Sequence, residues 1–188
     1  MSGHRSRPLL VVGAGIAGVT TALEAAEAGQ EVVLVEREPS IGGRVLKNHQ
    51  YFPKLCPPSC GMEINGRRLA KNPLVRVLTR SQLTGAERSD GGWRVTVRRE
   101  AEHVTAACTA CGDCSKVCPA TVPDPFNLGL GRVAAIRIPH VDAWPRRHLM
   151  SREACLEGCR ACADACKVPG AIDLQAKARD EELLVSAV

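Results

Sequence analysis

Eight of the ten cysteines in this 188-residue chain fall into two tight groups in its second half. The first reads Cys108-x2-Cys111-x2-Cys114-x3-Cys118, followed at once by Pro119. The second reads Cys155-x3-Cys159-x2-Cys162-x3-Cys166, the same plan with one extra residue near its start and Lys167 in place of the proline. Thiolates are soft ligands, and a four-cysteine run at this spacing is the bacterial ferredoxin pattern for a [4Fe-4S] cluster. Three thiolates on one tight loop cap one region of a cubane, so the fourth must arrive from elsewhere. In two-cluster ferredoxins the fourth cysteine of each run serves the other cluster. On that rule Cys108, Cys111, Cys114 and Cys166 hold one cluster, and Cys155, Cys159, Cys162 and Cys118 the other. Short residues between the ligands, such as Ala110 and Gly112, leave backbone amides free to hydrogen-bond the sulfurs. Zinc sites favour paired Cys-x2-Cys knuckles, and structural disulfides need an oxidising compartment for which no signal peptide is read here.

A second chemistry is written near the N-terminus. Gly13, Gly15 and Gly18 form a G-x-G-x-x-G turn between the apolar run Leu9–Val12, a strand buried on both faces, and the helix formers Ile16–Ala28, closed by Gly29. Gly13 permits the tight turn, Gly15 admits a pyrophosphate to the backbone, and Gly18 lets the helix lie close to the sheet. The helix N-terminus then faces the negative charge. A second strand, Val32–Val35, ends at Glu36, where a carboxylate accepts hydrogen bonds from an adenosine ribose. This βαβ start predicts a bound dinucleotide. The run Glu36 to Arg44 resembles the FAD-binding start of the flavoproteins with two dinucleotide domains. That resemblance implies FAD, with Gly42, Gly43 and Arg44 bringing amides and a cation, Arg37 in the same run, and Ala14 and Ala17 in the phosphate turn.

The elements that must position these groups are modest. Val75–Thr79 reads as a strand, and Gln82–Glu87 with Trp93–Arg98 as a hairpin around Asp90-Gly91-Gly92. Only five aromatics are present, Tyr51, Phe52, Trp93, Phe126 and Trp144, so large side chains to fill an interior are scarce. The net charge of +5 is carried by scattered pairs, Arg67/Arg68, Arg98/Arg99 and Arg146/Arg147, without interleaved aromatics. A nucleic-acid groove needs both, so no nucleic-acid partner is expected. The uncharged run Pro8–Leu23, although it follows His4, Arg5 and Arg7, is interrupted by glycines and is shorter than a membrane span, so no transmembrane segment is expected. His4, His49, His103, His140 and His148 are scattered, and each reads as a surface or packing residue; no catalytic constellation is visible. Cys56 and Cys60 frame Pro57-Pro58-Ser59 and stay open between unligated thiols, a redox pair near a flavin, and half the ligands of a further cluster.

Taken together, Val11–Gly18, EREPSIGGR (36–44), YFPKLCPPSCGMEIN (51–65), CTACGDCSKVCP (108–119), VPDPFNLGLGRVAAIRIP (122–139) and Cys155–Leu174 resemble the A subunit of heterodisulfide reductase and its relatives, including the A subunit of the quinone-interacting membrane-associated oxidoreductase of sulfate reducers. The resemblance implies an α/β chain. A partial Rossmann-type FAD-binding domain over 8–103 is interrupted by an inserted α+β two-cluster ferredoxin module over 104–176. A return strand follows over 177–188, its apolar part at Leu183–Val188. In such flavoproteins further Rossmann strands follow, so either a truncated or split polypeptide or a subunit whose flavin domain a partner chain completes is expected, with FAD bound weakly or not at all by the isolated chain. The expected role is an electron-transfer subunit between FAD and two [4Fe-4S] clusters in a cytoplasmic complex, peripheral to a membrane only through other subunits. The competing expectation is a non-catalytic iron-sulfur carrier or assembly subunit on a vestigial Rossmann scaffold.

Overall fold

The computed structural model describes residues 7–50 and 53–188; His4, Arg5, Tyr51 and Phe52 lie outside them. The chain forms two compact units. One runs up to Glu100 and takes in Arg179–Val188, and the other is Ala101–Ala178.

In the first unit β1 (Leu9–Val12), α1 (Ile16–Glu27), β2 (Val32–Val35), α2 (Ser59–Lys71) and β3 (Val75–Leu78) build a parallel three-stranded sheet of order β1-β2-β3 with its helices. All four residues of β2 are buried, which is why Val-Val-Leu-Val shows no polar alternation. Helix α1 buries Val19, Ala22, Leu23 and Ala26, one stripe at helical spacing, and ends where Gly29 adopts φ +90°. The opposite face of the sheet meets a second layer. There β4 (Ser81–Ser89) and β5 (Gly92–Arg99) form the expected antiparallel hairpin. Leu10, Val33, Val35 and Leu78 pack with Val95 and Val97 across the two layers. Burying each such valine or leucine stabilises the fold by roughly 1.5–3 kcal/mol.

Regular structure is sparse in the second unit. It holds α3 (Asp113–Lys116), the pair β6 (Thr121–Pro123) and β7 (Arg132–Ala134), the pair β8 (Ile136–Arg137) and β9 (Leu149–Met150), and α4 (Ala161–Ala165). Helices α3 and α4 pack together. The core is Val104, Ile136 and Met150 joined by Cys114 and Cys162, so sulfur occupies positions where a larger domain would place aliphatic side chains.

The chain then returns to the first unit as β10 (Arg179–Val185). This differs from the expected apolar strand at Leu183–Val188. The strand starts four residues earlier and pairs antiparallel with β5, Glu181 opposite Val97 and Leu183 opposite Val95. Only Ser186 and Ala187 go on to the parallel sheet, the Ser186 N–H donating to the Pro8 carbonyl at 2.9 Å and Ala187 accepting from the Leu10 N–H at 3.0 Å. Charge explains the longer strand. Asp180 pairs with Arg98 at 3.3 Å, and Glu181 lies between Arg76 at 2.7 Å and Arg99 at 3.2 Å. An acidic stretch beside a basic strand gains pairing that apolar patterning does not register.

Burial raises the Glu181 carboxyl, but Arg76 and Arg99 outweigh it and hold the group below the usual carboxylate range. A depressed acid contributes stability above its unfolded pKa, and that contribution is lost as pH falls through the folded value. The urea midpoint should therefore drop on acidification below about pH 4.5, and Glu181→Gln should flatten that drop while costing about 1 kcal/mol at pH 7.

Candidate functional site

The glycine turn is held by backbone contacts. Gly13 has φ +93°, and its N–H donates to the Val35 carbonyl at 2.7 Å, which fixes the turn to the end of β2. A Cβ on Gly18 would lie 1.8 Å from the Gly13 carbonyl oxygen, so only glycine lets α1 approach this closely. A Cβ on Gly15, by contrast, meets nothing within 4 Å, which is the open cradle a pyrophosphate requires. Gly15 is also the N-cap of α1, and neither a capping side chain nor an acid in the first turn occupies the helix N-terminus. Ala14 is buried beneath the turn, while Ala17 is exposed on the first turn of α1.

The second glycine pair sits against the first. Gly15 and Gly42 form a parallel bridge, the Gly42 N–H donates to the Ala14 carbonyl at 2.7 Å, and a Cβ on Gly43 would come within 3.1 Å of the Gly15 Cα. Arg44 follows on a short 3-10 turn, Gly43–Lys47, exposed. Arg37 is exposed and pairs only loosely with Glu38, at 3.5 Å. Glu36 is buried, and its two oxygens accept the Ala14 N–H at 2.6 Å and the Glu38 N–H at 2.7 Å. It therefore clasps the phosphate turn in place, a role that the expectation of ribose binding leaves out.

The eight grouped cysteines surround two separate small cavities. Cys108, Cys111, Cys114 and Cys166 line one; Cys118, Cys155, Cys159 and Cys162 line the other. The fourth cysteine of each run thus faces the cavity of the opposite run. Among the described residues no three His, Cys, Asp or Glu side chains converge as ligands of a single metal ion. Thiols spread around a cavity match a polynuclear cluster better than a lone ion, so the donor set fits the iron-sulfur group the spacing implies.

Local backbone explains how the loops curl. Ala110 and Gly112 are both left-handed, φ 59° and 89°, and the Ala110 N–H donates to the Cys108 sulfur at 3.4 Å. The extra residue in the second run is absorbed by a turn in which the Cys159 N–H reaches the Leu156 carbonyl at 3.1 Å and Gly158 takes φ 67°. Cys114 and Cys162, in the short helices, are the most buried of the eight. Burial pushes the Cys114 thiol up to about 11, with Cys108 adding to it, and raises Cys162 for the same reason. Both are neutral at pH 7 until a metal displaces the proton.

Two features of this region have no counterpart in the cysteine spacing. Lys167, in the place of the usual proline, pairs with Asp113 at 3.3 Å and so ties the Cys166 segment to the Cys108–Cys114 loop. Lys116 and Lys167 together hold the Asp113 carboxyl below its ordinary value. His148, read from the sequence as a surface or packing residue, is buried and lines the wall of the first cavity. Position alone does not reveal it, because it stands 40 residues from Cys108 and outside both cysteine runs. An open groove of about 690 Å³ runs beside Cys159, with Arg152, Arg160 and Gln175 also in its lining. Cys56 and Cys60 line neither cysteine cavity; Cys60 is exposed in the first turn of α2 and Cys56 is half-buried.

Comparison with known proteins agrees with the motifs. A family described as FAD dependent oxidoreductase matches residues 8–50. The chain is 38% identical over 187 residues to the A subunit of ferredoxin:CoB-CoM heterodisulfide reductase from Methanosarcina acetivorans, covering 95% of this chain and 23% of that protein. It is 36% identical over 183 residues to the iron-sulfur A subunit of CoB–CoM heterodisulfide reductase from Methanocaldococcus jannaschii, covering 95% of this chain and 27% of that one. The chain therefore spans about a quarter of the length of these relatives. Among solved structures, T. acidophilum thioredoxin reductase aligns with 50% of this chain and 31% of its own, at 20% identity and a TM-score of 0.42. No helix among the described residues is long and apolar enough to cross a membrane.

Gly18→Ala should destabilise the first unit by about 2–3 kcal/mol in urea unfolding, because the new methyl meets a carbonyl that the turn cannot move. Gly61→Ala in α2, where a Cβ meets nothing within 4 Å, should leave stability equal or raise it by up to about 1 kcal/mol.

Proposed function

We propose that this chain, similar along 95% of its length to the A subunit of heterodisulfide reductase, is an electron-transfer iron-sulfur flavoprotein subunit passing electrons between FAD and two [4Fe-4S] clusters. The observation that carries this reading is the crossed arrangement of thiols, with Cys166 on the first cavity and Cys118 on the second. In this reading residues 104–176 form a two-cluster ferredoxin module set into a Rossmann-type domain made of 8–103 and 177–188. Bound FAD exchanges electrons in pairs or singly, and each cluster exchanges one at a time.

The chain's own residues bind and position. The uncapped amides at the start of α1 and the space over Gly15 receive a pyrophosphate, Glu36 holds the turn and faces the adenosine, and Gly42, Gly43 and Arg44 approach from the second loop. Cys108, Cys111, Cys114 and Cys166 would hold one cluster and Cys118, Cys155, Cys159 and Cys162 the other. Left-handed backbone at Ala110 and Gly112 curls the first loop, and the Ala110 N–H donates to the Cys108 sulfur. The groove beside Cys159 leaves one side of the second ligand ring approachable from solvent, which suits exchange with another protein. Other subunits of a heterodisulfide-reductase-like complex are the proposed partners, and a cytoplasmic setting keeps the thiols reduced. The carrier reading is the weaker one, because a vestigial scaffold has no need of an open phosphate cradle beside a clasped Glu36.

Anaerobically isolated protein should contain about eight iron atoms per chain and bind added FAD only weakly, with Glu36→Ala weakening that binding about tenfold further. Cys114→Ser and Cys166→Ser should remove the same EPR signal, and Cys118→Ser the signal lost in Cys162→Ser. Zinc in place of iron, or Cys118→Ser acting with Cys114→Ser, would overturn the assignment; iron with no affinity for added FAD even beside a chain that completes the flavin domain would favour the carrier.

A further inference from the structure

We propose that His148 tunes the cluster of the first cavity by donating its Nδ1–H to the Cys108 sulfur, which makes that cluster easier to reduce than its neighbour. The proposal rests on reading the cavity as a cluster site. Four observations bring it to this residue. The His148 Nδ1 lies 3.8 Å from the Cys108 Sγ. Its side chain is buried, 4% exposed, so little water competes for the contact. It lines the same cavity as Cys108, Cys111, Cys114 and Cys166. Finally, the ring is anchored by the chain that follows it, since Leu149 pairs with Arg137 and Met150 sits in the core with Ile136.

The chemistry settles the direction of the bond. A thiol can donate to an imidazole, but iron-bound sulfur has lost its proton and only accepts. Nδ1 must then carry the hydrogen, and imidazole in either charge state can do so. A hydrogen bond to a ligand sulfur draws electron density from it and favours the reduced cluster. Among the described residues no imidazole lines the second cavity, where Ile136 and Met150 occupy the wall. The imidazole is a side-chain donor that the second cavity lacks, so a single electron settles first on the cluster held by Cys108.

The test uses the full chain loaded anaerobically with iron and sulfide, as wild type, His148→Leu and His148→Asn. Asparagine places an N–H at the same branch position as Nδ1, whereas leucine has none. Iron content is measured for each, with a redox titration followed by EPR. At full iron, His148→Leu should make one cluster about three- to tenfold harder to reduce in its equilibrium constant, leave the other unchanged, and be largely restored by His148→Asn. Should the leucine variant shed iron, pulsed EPR of reduced wild type carrying 15N-histidine decides, since a hydrogen-bonded imidazole gives a nitrogen coupling to one cluster. Unchanged midpoints at full iron, or no histidine coupling in wild type, overturn the role of His148 while leaving the clusters in place. Wild type without iron overturns the cluster reading as well.

Discussion

The unit Ala101–Ala178 lacks the apolar side chains to fill its own interior, and its shape follows from how sulfur makes up the deficit. Val104, Ile136 and Met150 are its large buried aliphatics, and Cys114 and Cys162 complete the same cluster while Cys108, Cys118 and Cys155 pack around it. Short helices and two-residue strands cannot hold together by backbone pairing alone. Each cysteine run must therefore borrow from the other. Cys118 leaves the first loop to face the second cavity and Cys166 does the reverse, so each loop is completed by its neighbour. In the proposed holoprotein, loading iron and folding this unit are one event, because ligation by crossed cysteines ties together chain segments about 50 residues apart.

The other unit meets a different constraint, the close approach of backbone to backbone. Gly18 meets the Gly13 carbonyl at a distance that no side chain allows, the Gly42-Gly43 loop packs tightly on Gly15, and the Glu36 carboxylate fixes the turn by accepting the Ala14 N–H. Geometry of this kind costs conformational entropy at every glycine. Valine-rich strands on both sides of it, with a buried β2 between α1 and the antiparallel layer, supply the offset.

Much of this was legible residue by residue. Val32–Val35 declared a doubly covered strand by its unbroken apolar run, Gly29 declared the end of α1, and Asp90-Gly91 declared the hairpin between β4 and β5. The last strand was less legible. A reading by hydrophobicity begins at Leu183, whereas the strand begins at Arg179, because Asp180 and Glu181 find Arg98, Arg76 and Arg99 only once the chain has come back beside β5. Cross-strand charge pairing is a property of two segments, and neither shows it by itself.

What the sequence alone determined, then, are local facts: glycines where the backbone must turn or touch, thiols at ligand spacing, and apolar runs of strand length. Each depends on residues within a few positions of one another, and local sterics and ligand reach act over that range. Tertiary structure decided which distant groups meet. It turned Glu36 inward onto the phosphate turn, set Lys167 against Asp113, and brought His148 to the Cys108 sulfur across 40 residues of chain. Those contacts come from packing, and packing is fixed only when the whole of a unit has closed around its core.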